Sequence, residues 1–249
     1  PEWSEWLPYL IARIAPLVGT QNFDVVYEPL VSAIMVHYPD EEAEYHYPGF
    51  RSDMLATVGR ALFQPHLWRN GRIIPGGTLT ALEHVVGGHR LNAGGSFSAA
   101  LFFVAKYLDP SLFAGWFASV TAIEDTFWRA NLIVWLFTGS SLLLQAGTQP
   151  TDLPDDWHGA DWTNSWYIKG AIPNDGNHLD LIKTPFLQPY RQALLKQAIR
   201  ATVRVSDLEK WRDALVRTEQ THNLDLEYAT WQYDEAIKHV VPQYDLLEA

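Results

Sequence analysis

Cysteine is absent from this chain of 249 residues. Its absence excludes disulfide bonds, a zinc or iron–sulfur site ligated by cysteine, and a cysteine nucleophile. Cations are scarce as well, since 18 Lys and Arg residues stand against 29 Asp and Glu residues and give a formal net charge of −11. Binding to a nucleic-acid backbone requires clustered cations, so the charge balance argues against a nucleic-acid partner.

Long uninterrupted apolar segments are also rare. The first residues include neither a basic segment nor a continuous apolar one, so we expect no signal peptide and take a cytoplasmic location as the default. Residues 130–151 carry no charge and approach the length of a membrane span, but Thr, Gly and Ser interrupt them at 138–141. A buried helix is the better interpretation, and we predict no membrane association.

Apolar residues recur at spacings of three and four along most of the chain, which is typical of amphipathic helices. This spacing predicts helices over 3–17, 23–38, 50–62, 79–86, 97–108, 111–122, 124–146, 187–205, 207–221 and 224–240. Asp109 and Pro110 are typical of an N-cap and a first helical residue, and Ser206 with Glu209 has the spacing of a capping box. No alternating β-branched run is long enough for a sheet, although residues 166–168 are compatible with a short strand. The predicted fold class is therefore all-α.

A faint repeat suggests how the helices are arranged. Trp3, Phe50 and Phe97 open apolar helices at intervals of 47 residues, and Pro65 and Pro110 lie 45 residues apart. These intervals resemble the period of about 40–47 residues in HEAT and armadillo helix pairs. We predict one helical domain over 1–249, either a HEAT/armadillo-like stack of helix pairs or an irregular multi-helix bundle, with an irregular Trp/Asp-rich loop at about 147–183.

The glycine-rich segment 75–96 is the first candidate site. Free amides at the start of the following helix, with Ser96 as N-cap and Arg90 nearby, are groups that hold a phosphate or a carboxylate. His84 or His89 would then act as an acid or a base. Neither known glycine-rich phosphate motif is present. A flexible connection between helices is therefore the favoured interpretation of this segment.

The long loop at 147–183 is the second candidate. Long irregular segments in compact domains are often binding loops, and indoles with nearby carboxylates recognise sugars, cations or protein side chains. The alternative is that the indoles only pin the loop onto helix faces. The residues we single out are Trp157, His158, Trp162, Trp166 and Tyr167.

Two further clusters are interpreted as structural. Residues 37–46 hold two His and four carboxylates, but they lack the spacing of two metal ligands on one helix, so we predict a solvated acidic loop and no metal site. Lys196, Arg200 and Arg204 recur every four residues and predict a solvated helix face, with Leu194 on the face toward the core.

Two functional hypotheses follow from these observations. The first is a non-catalytic protein-binding or scaffold protein, for example an acidic helical inhibitor or immunity-type protein, whose partner has a basic surface. The second is a helical enzyme or small-ligand receptor with a pocket between the glycine-rich segment 75–96 and loop residues 152–178. No cofactor is predicted, and no local motif identifies a reaction.

Overall fold

The computed structural model describes residue 13 and residues 24–42, 45–59, 68–69, 72–73, 82–153, 159–160 and 185–247. These residues are mostly helical, which confirms the all-α prediction at a coarse level. The predicted helix over 3–17 and the predicted strand over 166–168 lie outside the described residues. The α-helices are α1 (Asp24–His37), α2 (Phe50–Thr57), α3 (Gly95–Tyr107), α4 (Phe113–Thr121), α5 (Thr126–Thr138), α6 (Ser140–Leu144), α7 (Pro189–Thr202), α8 (Val205–His222) and α9 (Glu227–Gln243). The strands are β1 (Trp68–Arg69), β2 (Arg72–Ile73), β3 (Leu82–Val85) and β4 (Gly88–Leu91), and they form two antiparallel hairpins.

Side-chain caps set several helix boundaries. The Asp125 carboxylate accepts a hydrogen bond from the Trp128 amide at 2.8 Å and begins α5. The predicted cap at Asp109 is confirmed, because its carboxylate accepts from the Ser111 amide at 2.9 Å at the start of a 3₁₀ turn. The predicted capping box at Ser206 is wrong. Helix α8 starts earlier, where the Asp207 carboxylate accepts from the amide that precedes the helix.

The predicted long helix over 124–146 is divided at Gly139 into α5 and α6. A Cβ atom at Gly139 would lie 2.8 Å from Cζ of Phe102 and 2.8 Å from the Trp135 carbonyl oxygen. Glycine therefore permits α3 to approach the junction between the two helices.

The predicted short helix over 79–86 is wrong for residues 82–86, which belong to a β-hairpin. Strand β3 pairs with β4, with Leu82 opposite Leu91 and Val85 opposite Gly88. Gly87 has φ 91° and Gly88 has φ 131°, conformations that favour glycine. Two consecutive glycines therefore make a tight turn where the apolar spacing alone predicts a helix.

Helices α3 and α5 form the centre of the core. Nearly every residue of α3 is buried, and Trp128 and Trp135 of α5 are the largest fully buried side chains in the described chain. The most extensive packing joins α9 to α5, α4 to α7 and α1 to α3. A HEAT-like stack is not shown by these contacts, because several of them join helices that are distant in the chain.

Within the described ranges, no single helix has both the length and the apolar character to cross a membrane. Helix α3 and the segment Pro110–Thr121 satisfy the two criteria only as a pair, and the pair is bent by 119°.

Candidate functional site

The hairpin places the two histidines of the glycine-rich segment side by side. His84 and His89 are directly opposite in the β3–β4 register, and their ring centroids are 5.3 Å apart in an edge-on arrangement. The His84 side chain is exposed, whereas His89 is half-buried. The sequence prediction thus identified two histidines that the fold brings together, although His84 lies on a strand rather than on the predicted helix.

Arg90 forms an ion pair with Glu83 within its own hairpin. Its Nη2 and Nε donate to Oε2 of Glu83 at 2.6 and 3.0 Å, and the two residues are paired across the strands. The guanidinium is 14% exposed and the carboxylate side chain is 43% exposed. Arg90 therefore stabilises the hairpin through an ion pair that is partly open to solvent.

A carboxylate of the chain itself lies at the start of α3. Ser96 is not the N-cap, since α3 begins at Gly95, and its hydroxyl donates to Oε1 of Glu28 at 3.4 Å. Gly95 has φ 57°, and a Cβ atom there would lie 3.0 Å from the same oxygen. The Glu28 carboxylate thus lies at the helix N-terminus, where the sequence predicted an external phosphate or carboxylate.

The hairpin is fixed to the start of α9. The His89 amide donates to the Asp225 carbonyl at 2.9 Å, and the Leu91 amide donates to Oε1 of Gln232 at 2.8 Å. A Cβ atom at Gly88 would lie 2.7 Å from Cγ of Asp225. The glycine therefore allows the strand to contact the turn between α8 and α9 directly.

The candidate residues of the long loop lie outside the described residues, so their role in binding stays a prediction. They are Trp157, His158, Trp162, Trp166 and Tyr167. Of the predicted set, the described structure brings together His84 and His89, and it places Arg90 beside Glu83 and Ser96 beside Glu28.

The acidic segment after α1 has partners within the protein. Tyr38 Oη lies 2.7 Å from Nε2 of His46, and Glu41 is only 4% exposed. Among the described His, Asp and Glu residues, no group of three or more is arranged to hold a metal ion. The prediction of a solvated acidic loop is wrong at Glu41, which is buried.

Glu41 belongs to a buried ionic cluster that the sequence prediction missed. Lys106 is fully buried, and its Nζ donates to the Phe186 carbonyl at 2.9 Å and lies 3.6 Å from Oε2 of Glu41. Burial lowers the pKa of Lys106 to about 8, although Glu41 raises it in part. Arg191 is also fully buried and donates to the carbonyls of Ala105 and Leu108 at the end of α3. The cluster joins α3, α7 and the loop after α1.

One signal in the sequence indicates this cluster. Lys106 is the only charged residue of α3, whose other twelve residues are apolar or carry a hydroxyl or are glycine. A lone cation in such a helix requires a buried partner, because an unpaired charge in the core is strongly unfavourable. The partner itself is not predictable from spacing, since Glu41 precedes Lys106 by more than sixty positions.

A second feature that the sequence prediction missed is an exposed aromatic pair on α9. Tyr228 is 37% exposed and Trp231 is 40% exposed, and their ring centroids are 5.3 Å apart. Asp225 and Glu227, just before the pair in the chain, are exposed carboxylates. We call these four residues the aromatic-acidic surface.

The aromatic-acidic surface lies next to the hairpin, because β4 packs on α9 and contacts Asp225. The hairpin tip ends in Val86, which is fully exposed. The opposite face of α9 packs into the core through buried residues, namely Ala229, Tyr233, Ala236 and Val240. The spacing of three between Tyr228 and Trp231 therefore places both rings on the solvent side of the helix.

No family model, curated protein or solved structure matches this chain.

Proposed function

We propose that the protein is a non-catalytic binding protein that engages a basic protein partner through the aromatic-acidic surface. The observation that carries the proposal is the exposed pair of Tyr228 and Trp231 beside the exposed carboxylates of Asp225 and Glu227. Tyr and Trp are the residues that most often dominate the binding energy of protein interfaces. Aromatic faces also attract Lys and Arg side chains, and the carboxylates favour the same cations.

The net charge of the chain supports a basic partner. A formal charge of −11 accelerates the encounter with a cationic protein and disfavours other partners, and salt weakens this effect. An inhibitor of a basic toxin or enzyme is one concrete form of this function. Trp157, Trp162 and Trp166 of the predicted loop stay predicted contact residues for the same partner.

The described residues give less support to the alternative of an enzyme or small-ligand receptor. That function requires Arg90 and Ser96 to face a ligand, whereas Arg90 pairs with Glu83 and Ser96 donates to Glu28. Of the two histidines, His84 is exposed, whereas Nδ1 of His89 lies 3.2 Å from the Asp225 carbonyl oxygen. We therefore propose the binding function and not the catalytic one.

For the arrangement of helices we propose the irregular bundle rather than the HEAT/armadillo-like stack. In a solenoid each repeat contacts its neighbours in sequence, whereas α9 packs most extensively on α5 and α4 on α7. A cytoplasmic location remains a prediction from the sequence.

The experiment that tests the proposed function is capture from a lysate of the source cells with three forms of the immobilised protein. The wild-type protein should capture a basic protein that the Tyr228→Ala, Trp231→Ala double variant does not retain. Leu194→Ala is the matched control, because Leu194 is also 40% exposed but lies on α7. Retention of the same protein by the wild type and by both variants would reject the surface as the contact.

Salt provides a second criterion in the same experiment. The captured protein should elute as ionic strength increases, because interactions between exposed charges are screened beyond about 8 Å at physiological salt. A complex of unchanged strength from low to high salt would contradict the proposed role of the carboxylates.

A further inference from the structure

The two histidines of the hairpin are a closely spaced cross-strand pair. In antiparallel strands, positions that hydrogen-bond to each other alternate with positions that do not, and side chains at the second kind lie closer together. The His89 amide donates to the Asp225 carbonyl at 2.9 Å, so it is not bonded to β3, and His89 and its partner His84 occupy a position of the second kind. Their ring centroids are accordingly 5.3 Å apart. The register thus holds two imidazoles next to each other on one face of the hairpin.

A second contact determines which nitrogen of the His89 ring carries the proton. Nδ1 of His89 lies 3.2 Å from the Asp225 carbonyl oxygen. A carbonyl oxygen only accepts hydrogen bonds, so Nδ1 carries the proton and Nε2 carries the lone pair. Histidines that ligate metals almost always donate their other ring N–H to a carbonyl, a carboxylate or water, because this contact orients the ring and makes the ligating nitrogen more basic. His89 therefore has the protonation state and the backbone support of a metal ligand.

We propose that Nε2 of His89 and a ring nitrogen of His84 bind one divalent transition-metal ion, with Cu²⁺ the best fit. Imidazole nitrogens bind Zn²⁺, Ni²⁺ and Cu²⁺, and among these ions Cu²⁺ binds a given nitrogen site most tightly. Two nitrogens that each lie about 2 Å from one ion are about 3 Å apart. The pair reaches this separation when the exposed His84 ring rotates.

Water completes the coordination shell in this proposal. Among the His, Asp and Glu residues that the structure describes, no group of three or more is arranged to hold a metal ion. Two imidazole nitrogens and two water oxygens form the tetragonal nitrogen and oxygen set that Cu²⁺ prefers. The hairpin is thus a two-histidine site that is open to solvent at His84.

Electron paramagnetic resonance of the whole wild-type protein with one equivalent of Cu²⁺ tests the site directly. Coupling between the copper electron spin and the ligand nitrogens shows how many imidazoles are bound. We expect two nitrogen ligands in the wild type and at most one in His84→Ala. A wild-type spectrum without two nitrogen ligands, or the same two nitrogens in His84→Ala, would overturn the inference. The wild-type spectrum decides the question even if the variant fails to fold.

Isothermal titration with Cu²⁺ measures how much His84 contributes to affinity. His84→Ala should weaken binding by about tenfold or more, because loss of even an outer partner of a metal ligand costs about 10–100-fold. His239→Ala is the matched control, since His239 is also exposed but stacks on Phe137 with ring centroids 4.5 Å apart, near the C-terminal end of α9. It should change the affinity by less than about twofold. Equal losses in the two variants would show unselective binding to surface histidines and would overturn the inference.

This inference goes beyond the proposed function, and the two fail separately. Tyr228→Ala with Trp231→Ala should abolish partner capture and leave Cu²⁺ affinity within about twofold, because neither ring is a ligand. Copper binding that depends on His84 while the aromatic pair has no effect on capture supports the metal site and rejects the surface. Capture that depends on the aromatic pair, with no imidazole nitrogen in the copper spectrum, rejects the metal site alone.

Discussion

At the scale of single residues, the structure is most unusual at Lys106. A fully buried ammonium is tolerated because the Phe186 carbonyl accepts a hydrogen bond from it and the Glu41 carboxylate lies 3.6 Å away. Its lowered pKa nevertheless indicates that burial disfavours the charged form more than these partners compensate. The lysine thus joins two segments of the chain at an energetic cost that depends on pH.

This cost predicts an unusual dependence of stability on pH. The pKa of Lys106 is about 8 in the folded protein against an ordinary value of 10.5, so between these values the unfolded chain binds a proton that the folded chain lacks. The free energy of unfolding should therefore rise as pH increases from about 8 toward 10. Above pH 10 the trend reverses, because burial raises the pKa values of Tyr27, Tyr233 and Tyr244 and ionised tyrosines favour unfolding.

Urea unfolding of the wild type and of Lys106→Met at several pH values checks this prediction. The wild-type free energy should rise between pH 8 and 10, and the variant should lose most of that rise. If the free energy of unfolding rises equally in both proteins, a group other than Lys106 causes the pH dependence.

At the scale of secondary-structure elements, the hairpin explains an incorrect prediction. Leu79, Leu82, Val85 and Val86 have helical spacing, but Gly87 and Gly88 follow them with positive φ. The glycine pair permits a tight turn and direct contact with Asp225, and the hydrogen bonds to the α9 region then stabilise the strands. Apolar spacing over so few residues did not distinguish a strand from a short helix.

Gly88 should therefore tolerate no side chain. Gly88→Ala places a methyl group 2.7 Å from Asp225 and requires a residue with a Cβ at φ 131°, so we expect a loss of about 1–3 kcal/mol in the free energy of unfolding. Gly115→Ala is the control, because a Cβ there meets no atom within 4 Å and the residue lies inside α4. It should stabilise the protein by about 0.5–1 kcal/mol. Chemical denaturation measures the free energy of unfolding of both variants. Similar effects of the two substitutions would contradict the close contact of Gly88 with Asp225.

At the scale of the whole molecule, contacts between distant parts of the chain determine the arrangement of the helices. Tyr244 near the C-terminal end of α9 donates its hydroxyl proton to the Leu136 carbonyl of α5 at 2.9 Å, and both groups are buried. Helices that are separated by about a hundred residues thus pack together in the core.

The hydroxyl of Tyr244 should contribute measurably to this packing. Tyr244→Phe should lower the free energy of unfolding by about 1 kcal/mol, since one buried hydrogen bond is lost while the ring remains. Tyr228→Phe removes the hydroxyl of an exposed ring and should change it by less than about 0.5 kcal/mol. Thermal unfolding of the two variants provides the comparison. Equal losses would contradict a specific role for the α5–α9 contact.

Much of the helical content was predictable because amphipathic spacing and caps such as Asp109 are local signals. Which helices pack against each other was not predictable, because contacts between distant residues, such as that of Tyr244 with Leu136, produce no periodic pattern in the sequence. Leu194 illustrates the same limit: its spacing predicted a core position, but it is 40% exposed because α7 packs through neighbouring residues such as Leu195 and Ile199. The candidate site was predictable in part, with His84 and His89 identified from composition and the aromatic pair on α9 missed.

Hydrogen–deuterium exchange of the protein alone and with the captured partner shows whether a basic partner binds the aromatic-acidic surface. We expect partner binding to slow exchange in peptides that cover residues 225–231 and 82–86. Peptides that cover α7 around Leu194 should exchange at the same rate in both samples. Protection confined to other parts of the chain, with residues 225–231 unchanged, would contradict binding at this surface.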